Sequence, residues 1–132
     1  MPAIRAWLAA HPDQAQTVLN SNPSYVFFTL REPDSSGPVG ALNVPLVPER
    51  SIAVDPSFIP LGSPVWLDTA LPGSELRPYR RLEFAQDTGG AIRGPARADL
   101  FLGFGQNAEQ LAGAMRQRGK LYVLLPSARP LN

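Results

Sequence analysis

Residues 87–101 read DTGGAIRGPARADLF. Asp87 and Asp99 stand twelve positions apart and bracket Gly89, Gly90, Gly94, a proline and two arginines, Arg93 and Arg97. Glycine lets the backbone take conformations closed to other residues and approach a ligand closely. Gly89 and Gly90 therefore suggest a ledge with an acid held on either side. A third acid, Asp55, sits in IAVDP. Each of the three aspartates ends or follows an apolar run, so strands converging at one rim would bring them into a single groove. An aspartate before Pro or before Thr-Gly is also an ordinary turn residue bonding its own backbone, and that reading stands beside the functional one.

A groove of carboxylates, aromatics and backbone donors suits a sugar polymer. Cleaving a glycosidic bond requires a carboxylic acid that protonates the leaving oxygen. Asp99 is flanked by Ala98, Leu100 and Phe101, which favour its protonated form if it is buried. Asp87, among polar residues and glycines, is expected to stay ionised. Arg93 and Arg97 can contact an anionic group of the ligand or pair with Asp87 or Asp99. Trp66 and Phe101 can stack on sugar rings, although core packing is the commoner role for such side chains. Asp87-Thr88-Gly89 also matches the aspartic-protease tripeptide, in which two carboxylates share a proton. With one copy in the chain, that chemistry would need a homodimer.

The elements that must position these residues are short. The chain has 132 residues, 44% of them apolar, which fits one ordinary globular domain. Fifteen prolines and eleven glycines without a repeat period point to many brief elements joined by tight turns. Helices are expected over 4–10 and 13–21, broken at Pro12. Strands are expected over 24–30, 51–55, 64–68, 81–87 and 120–126, with an irregular, proline-punctuated edge over 40–48 and a short apolar piece after Ala98. Residues 69–79 read as an exposed connection. Residues 81–87 alternate, with Leu82, Phe84 and Gln86 on one face. A helix is expected over 107–118, with Asn107 as N-cap, Gln110 at N3, Arg116 and Arg118 in the last turn and Gly119 just beyond. About six strands with one helix before the last favour a small mainly β barrel with appended helices over a parallel α/β sheet.

Composition excludes several classes. The chain contains no cysteine, so disulfides, thiol chemistry and thiolate zinc sites are ruled out. His11 alone cannot make a histidine-rich metal site. A net charge of +1 with 17% charged residues gives no reason to expect nucleic acid or an anionic membrane as partner. No apolar run reaches membrane-spanning length and no signal peptide is visible.

The blocks SYVFF, VPLVPERSIAVDPSFIPLGSPVWLD, DTGGAIRGPARADLFLGFG and the closing A-G-x-M-x-x-x-G-K-L-Y-V-L-L-P, with HPDQAQTVLNSNPSYVFF before them, resemble the C-terminal part of the membrane-bound lytic murein transglycosylase A family. The DTGGAI block also resembles the wider three-aspartate (3D) domain, whose name comes from aspartates matching Asp55, Asp87 and Asp99. The resemblance implies a six-stranded double-psi β-barrel over residues 24–126, after a helical segment 1–23 and before a tail 127–132. It implies cleavage of the MurNAc–GlcNAc β-1,4 bond of peptidoglycan to a 1,6-anhydro product. Asp99 matches the single catalytic acid and base, with Asp87 beside it. Asp55, Gly89, Gly90, Arg93 and Arg97 are expected to bind substrate, with Arg93 and Arg97 reaching either a carboxylate of the peptide stem or the site aspartates. No metal or cofactor is implied. The setting implied is the periplasm or outer-membrane-associated envelope, with glycan strands as partner and no direct membrane insertion. A non-catalytic, expansin-like wall-binding barrel is the alternative. The family's upstream barrel segment and inserted second domain are not recognisable in the chain, so an upstream segment or a partner chain is expected to complete the barrel.

Overall fold

The computed structural model describes residues 2–24, 27, 37–73 and 75–127. The chain forms two compact units, residues 1–34 and 35–132.

The first unit carries α1 (Pro2–Ala10) and α2 (Pro12–Asn20). Pro12 occupies the first turn of α2, where a missing N–H costs nothing. The His11 and Trp7 rings stack at 4.4 Å across the break. The strand expected over 24–30 lies outside the described residues except for Ser24 and Phe27.

The second unit is mainly β. Its strands are β1 (Ser51–Val54), β2 (Pro64–Leu71), β3 (Arg77–Asp87), β4 (Ala98–Leu100) and β5 (Lys120–Val123), and α3 (Gly105–Ala114) precedes the last. They form one five-stranded sheet in the order β4-β1-β3-β2-β5. β1 runs parallel to β3 and antiparallel to β4, while β2 pairs antiparallel with β3 and β5. The proline-rich stretch around residue 40 makes a single bridge, Val39 with Pro45. This fits prolines that cannot donate to a ladder.

The core follows the period-two pattern of the strands. Ile52, Val54, Ile59, Val65 and Ala85 make one buried cluster, and Leu67, Leu71 and Tyr79 a second. Full burial of an aliphatic side chain such as Ile52 or Val65 contributes roughly 1.5–3 kcal/mol.

Two expectations, for residues 69–79 and for the last helix, are corrected, and the structure shows which face of β3 is buried. The connection expected over 69–79 is largely strand: Thr69, Ala70 and Leu71 pair with Tyr79, Pro78 and Arg77, because apolar residues keep facing inward as far as Leu71 and Tyr79. The buried face of β3 is Tyr79, Glu83 and Ala85, while Phe84 on the Leu82 side is 40% exposed. The last helix begins at Gly105, has no side-chain cap, and ends at Ala114 before an extended Met115. Asn107 is therefore interior, and Arg116 and Arg118 lie beyond the helix. Gly119 serves a close approach instead: a Cβ there would stand 2.8 Å from the Asp68 carbonyl oxygen. The chain must pass tightly over β2 before Lys120 can pair with Asp68.

Candidate active site

The site is assembled around Ala53. A register shift between Ile52 and Ala53 sets Ala53 opposite Asp87 of β3 on one side and opposite Asp99 of β4 on the other. Residues paired across neighbouring strands share a face, so both aspartates stand on one side of the sheet. Two interstrand spacings separate their backbones, on the order of 10 Å, and the small Ala53 side chain leaves the space between them open. A cavity of about 260 Å³ fills it, with Leu46, Ala53, Asp87, Ile92, Asp99 and Phe101 in its walls. Thr88 also lines it.

Asp87 is held from outside the sheet. Its Oδ1 accepts the Ala41 N–H at 2.9 Å, and the Gln86 carbonyl accepts the Leu42 N–H at 3.0 Å. This contact requires glycine at residue 40, since a Cβ there would come 2.5 Å from the Gln86 carbonyl oxygen. The Ser51 hydroxyl donates to Gln86 Oε1 at 2.5 Å and accepts the Val47 N–H at 2.8 Å. The end of β3 is therefore fixed by both the 37–47 segment and β1.

The loop between the acids is fixed by Ile92 and Asp55. Ile92 is buried, and its N–H closes a turn on the Gly89 carbonyl at 2.9 Å. Gly94 has φ +93°, a conformation that side chains other than glycine's rarely adopt. Its N–H donates to Asp55 Oδ2 at 2.8 Å, and Asp55 Oδ1 accepts the Ser57 N–H at 3.0 Å. The Gly94 and Ser57 amides, with the Arg93 charge, hold the Asp55 carboxyl below the ordinary carboxylate range. Asp55 is only 4% exposed and is not among the residues lining the cavity. The structure brings Asp87 and Asp99 together and places Asp55 behind them, as the strut of their loop. Gly90 faces open space.

Asp99 stands on an edge strand and is open to water. Its side chain is 56% exposed, and Arg97 Nε lies 3.5 Å from its Oδ1. Its apolar neighbours Ala98 and Leu100 do not bury it, because they point to the other face, toward the core cluster. Of the two arginines, Arg97 meets Asp99, and Arg93 acts on Asp55. Asp99 also reaches a larger hollow of about 550 Å³ bounded by Leu67, Arg97, Leu102, Met115 and Leu121. Phe101 lines the smaller cavity and meets Phe104 edge-on at 5.4 Å. Trp66, paired with Leu82 and Tyr122 on another part of the sheet, lines neither hollow. Ser51 and Ala53 were not legible as site residues: a Ser and an Ala within a short strand carry no signal by type or spacing.

A five-stranded, mainly β domain with two aspartates flanking one small residue in a shared hollow defines the class. Residues 50–125 match the 3D domain, and the chain belongs to that family. The Asp87-Thr88-Gly89 tripeptide is thus part of a 3D block. Residues 1–29 match the MltA specific insert domain. This corrects the expectation that nothing of the inserted second domain appears in the chain: α1 and α2 belong to it. The chain is 39% identical over 130 residues to membrane-bound lytic murein transglycosylase A of Escherichia coli K12, covering 94% of this chain and 34% of that protein. Among solved structures it is similar to the lytic transglycosylase LtgG of Burkholderia pseudomallei (52% identity, TM-score 0.69, 95% of this chain and 37% of that one). MltA of Neisseria gonorrhoeae is also similar (41% identity, TM-score 0.80, 96% of this chain and 32% of that one). A structure of E. coli MltA with bound chitohexaose matches at 35% identity with a TM-score of 0.77, covering 91% of this chain and 37% of that one. The chain thus spans about a third of the length of the relatives it matches.

Proposed function

We propose that this chain carries the acid-bearing part of a peptidoglycan lytic transglycosylase of the bacterial envelope. The observation that carries the reading is the pairing of Asp87 and Asp99 on either side of Ala53, over one hollow. Asp99 protonates the glycosidic oxygen as the bond from C1 to that oxygen breaks. The C6 hydroxyl of the same MurNAc then attacks C1 and gives its proton to the Asp99 carboxylate. The products are a free 4-hydroxyl and a 1,6-anhydro ring, with Asp99 returned to its starting state and no water consumed. An intramolecular hydroxyl has an effective concentration on the order of 10⁵ M or more in favourable cases. Asp87, held by the Ala41 amide, faces the developing oxocarbenium charge. Gly89, Gly90 and Arg97 are assigned to bind the glycan, and Asp55 and Arg93 support the loop that carries them. No metal or cofactor enters this chemistry.

In the same reading the sheet is the described part of a double-psi barrel. A segment upstream in the longer protein, or a partner chain, pairs with β4 and β5, the outer strands of the described sheet, and closes the 550 Å³ hollow. The exposure of Asp99 favours a second reading for the 132-residue chain in isolation: glycan is bound without cleavage until that segment shields the acid. Mass spectrometry of digested sacculi tests the proposal. Anhydromuropeptides are expected with the natural sequence and, with Asp99→Asn, a loss on the order of 10³-fold. Equal yields from the two, or products with reducing ends, would overturn it. Binding without any product would support the second reading.

A further inference from the structure

Glu83 lies midway along β3 opposite Val65 and is fully buried. Its Oε1 is 2.6 Å from the Tyr79 hydroxyl, and its Oε2 has no hydrogen-bond partner among the described residues. Loss of water pushes its carboxyl above the ordinary range, outweighing the Tyr79 hydrogen bond and the Arg50 and Arg81 charges. A bare carboxylate oxygen in the core is costly, and a bare oxygen of a neutral acid far less so.

The Tyr79 hydroxyl also lies 3.3 Å from the Glu49 carbonyl oxygen. A phenol has one proton to donate, so Glu83 decides where it goes. A neutral Glu83 donates its own proton to Tyr79 Oη, and Tyr79 donates onward to Glu49. An ionised Glu83 captures the Tyr79 proton, and the Glu49 carbonyl loses its donor. Glu49 needs that support: its φ is +56°, uncommon for a residue with a side chain. Its N–H donates to the Phe101 carbonyl at 2.7 Å, its Oε2 is 2.8 Å from Arg81 Nη1, and the Phe101 N–H donates to the Ser51 carbonyl at 3.0 Å. Phe101 follows directly on β4, a three-residue strand paired only with β1 among the described residues and carrying Asp99.

We propose that Glu83 is a positioning residue: as a neutral acid it directs the Tyr79 proton onto Glu49, and the clamped Glu49 fixes the end of β4 and with it Asp99. Among the described residues the titratable and charged groups facing Glu83 are Tyr79 and Arg81 on its own strand and Glu49 and Arg50 from the turn before β1. The Tyr79 ring packs in an apolar cluster with Leu67 and Leu71 of β2, Leu121 of β5 and Leu111 of α3. A rise in pH that ionises Glu83 releases the clamp. That Asp99 is the group being placed rests on the function proposed above. The clamp itself is tested without turnover.

Amide hydrogen-exchange protection factors at Glu49 and Phe101, followed by NMR across pH alongside a carbon-13 titration of the Glu83 carboxyl, make the test on the full chain. In the natural sequence, protection at both amides should fall as Glu83 titrates, above the ordinary glutamate range. Glu83→Gln, whose amide can donate to Tyr79 as the neutral acid does, should hold protection steady over the same span. Tyr79→Phe should lower it several-fold to about tenfold at every pH, the worth of one lost hydrogen bond, while β2–β3 amides keep theirs. A Glu83 carboxyl titrating at the ordinary value, or unchanged protection in Tyr79→Phe, would overturn the clamp even if Glu83→Gln fails to fold. If sacculus digestion gives equal yields from the natural sequence and Asp99→Asn while these results hold, the proposed function falls and the clamp stands.

Discussion

Asp55 shows how burial and partners assign a role that residue type does not. Each of its oxygens accepts a backbone amide, of Ser57 or Gly94, so it holds a loop and does not line the cavity. Its carboxyl lies below the ordinary value of 3.8. The sign follows: the stability it contributes is present above that value and is lost as pH falls through the lower folded one. Denaturant unfolding followed down from about pH 4 should show a steeper loss for the natural sequence than for Asp55→Asn, with the variant less stable at neutral pH. Asp87 and Asp99 differ in another way. Asp87 is pinned by Ala41, whereas among the described residues Asp99 has the Arg97 contact, a surface pair worth about 0–1 kcal/mol. Asp87→Asn keeps an oxygen for the Ala41 amide, so it should fold normally and reduce turnover on the order of 10²-fold through lost charge stabilisation. Asp99→Asn should cost more, because it removes the proton donor itself.

At the scale of elements, the site exists because the 37–47 segment closes on the end of β3. Gly40→Ala forces a Cβ against the Gln86 carbonyl oxygen and the Leu46 side chain. It should destabilise the domain by about 1–3 kcal/mol, read from the denaturation midpoint, and weaken glycan binding more than a surface change of equal size. The element pattern was legible where hydrophobic period and turn residues agreed. The strands around Ile52, Val65 and Leu121 and both front helices stand within a few residues of expectation. The end of β2 and the start of β3 were hidden by the Pro72, Gly73 and Pro78 signals, which read as a loop although the hairpin continues to Leu71 and Arg77. The helix cap read from Asn107 and Gln110 lost to a start two residues earlier, at Gly105. The core face of β3 was obscured because a glutamate occupies it: Glu83 looks like a solvent-facing residue and is fully buried. The aspartates were legible as a set. That Asp87 and Asp99 would share Ala53, and that Asp55 would turn inward, depended on the β1 register shift and the Gly94 contact, which no spacing rule reports.

For the whole molecule, the chain joins a piece matching the MltA specific insert domain to a 3D-domain sheet, over about a third of the length of its relatives. Among the described residues the sheet ends in β4 and β5, and a sheet edge is a template for further pairing. Asp99 lies on one of these edges, so under the proposed function pairing at that edge and shielding of the acid are expected to be the same event. The central claim is that Asp87, Ala53 and Asp99 form one glycan-sized cleft. It is tested most directly by NMR titration of the full chain with chitohexaose, mapping the amides that shift. Shifts centred on Ala53, Thr88, Asp99 and Phe101 that weaken in Asp87→Asn are expected. Shifts centred on Trp66 and Tyr122, with the amides around Ala53 unmoved at saturation, would contradict it.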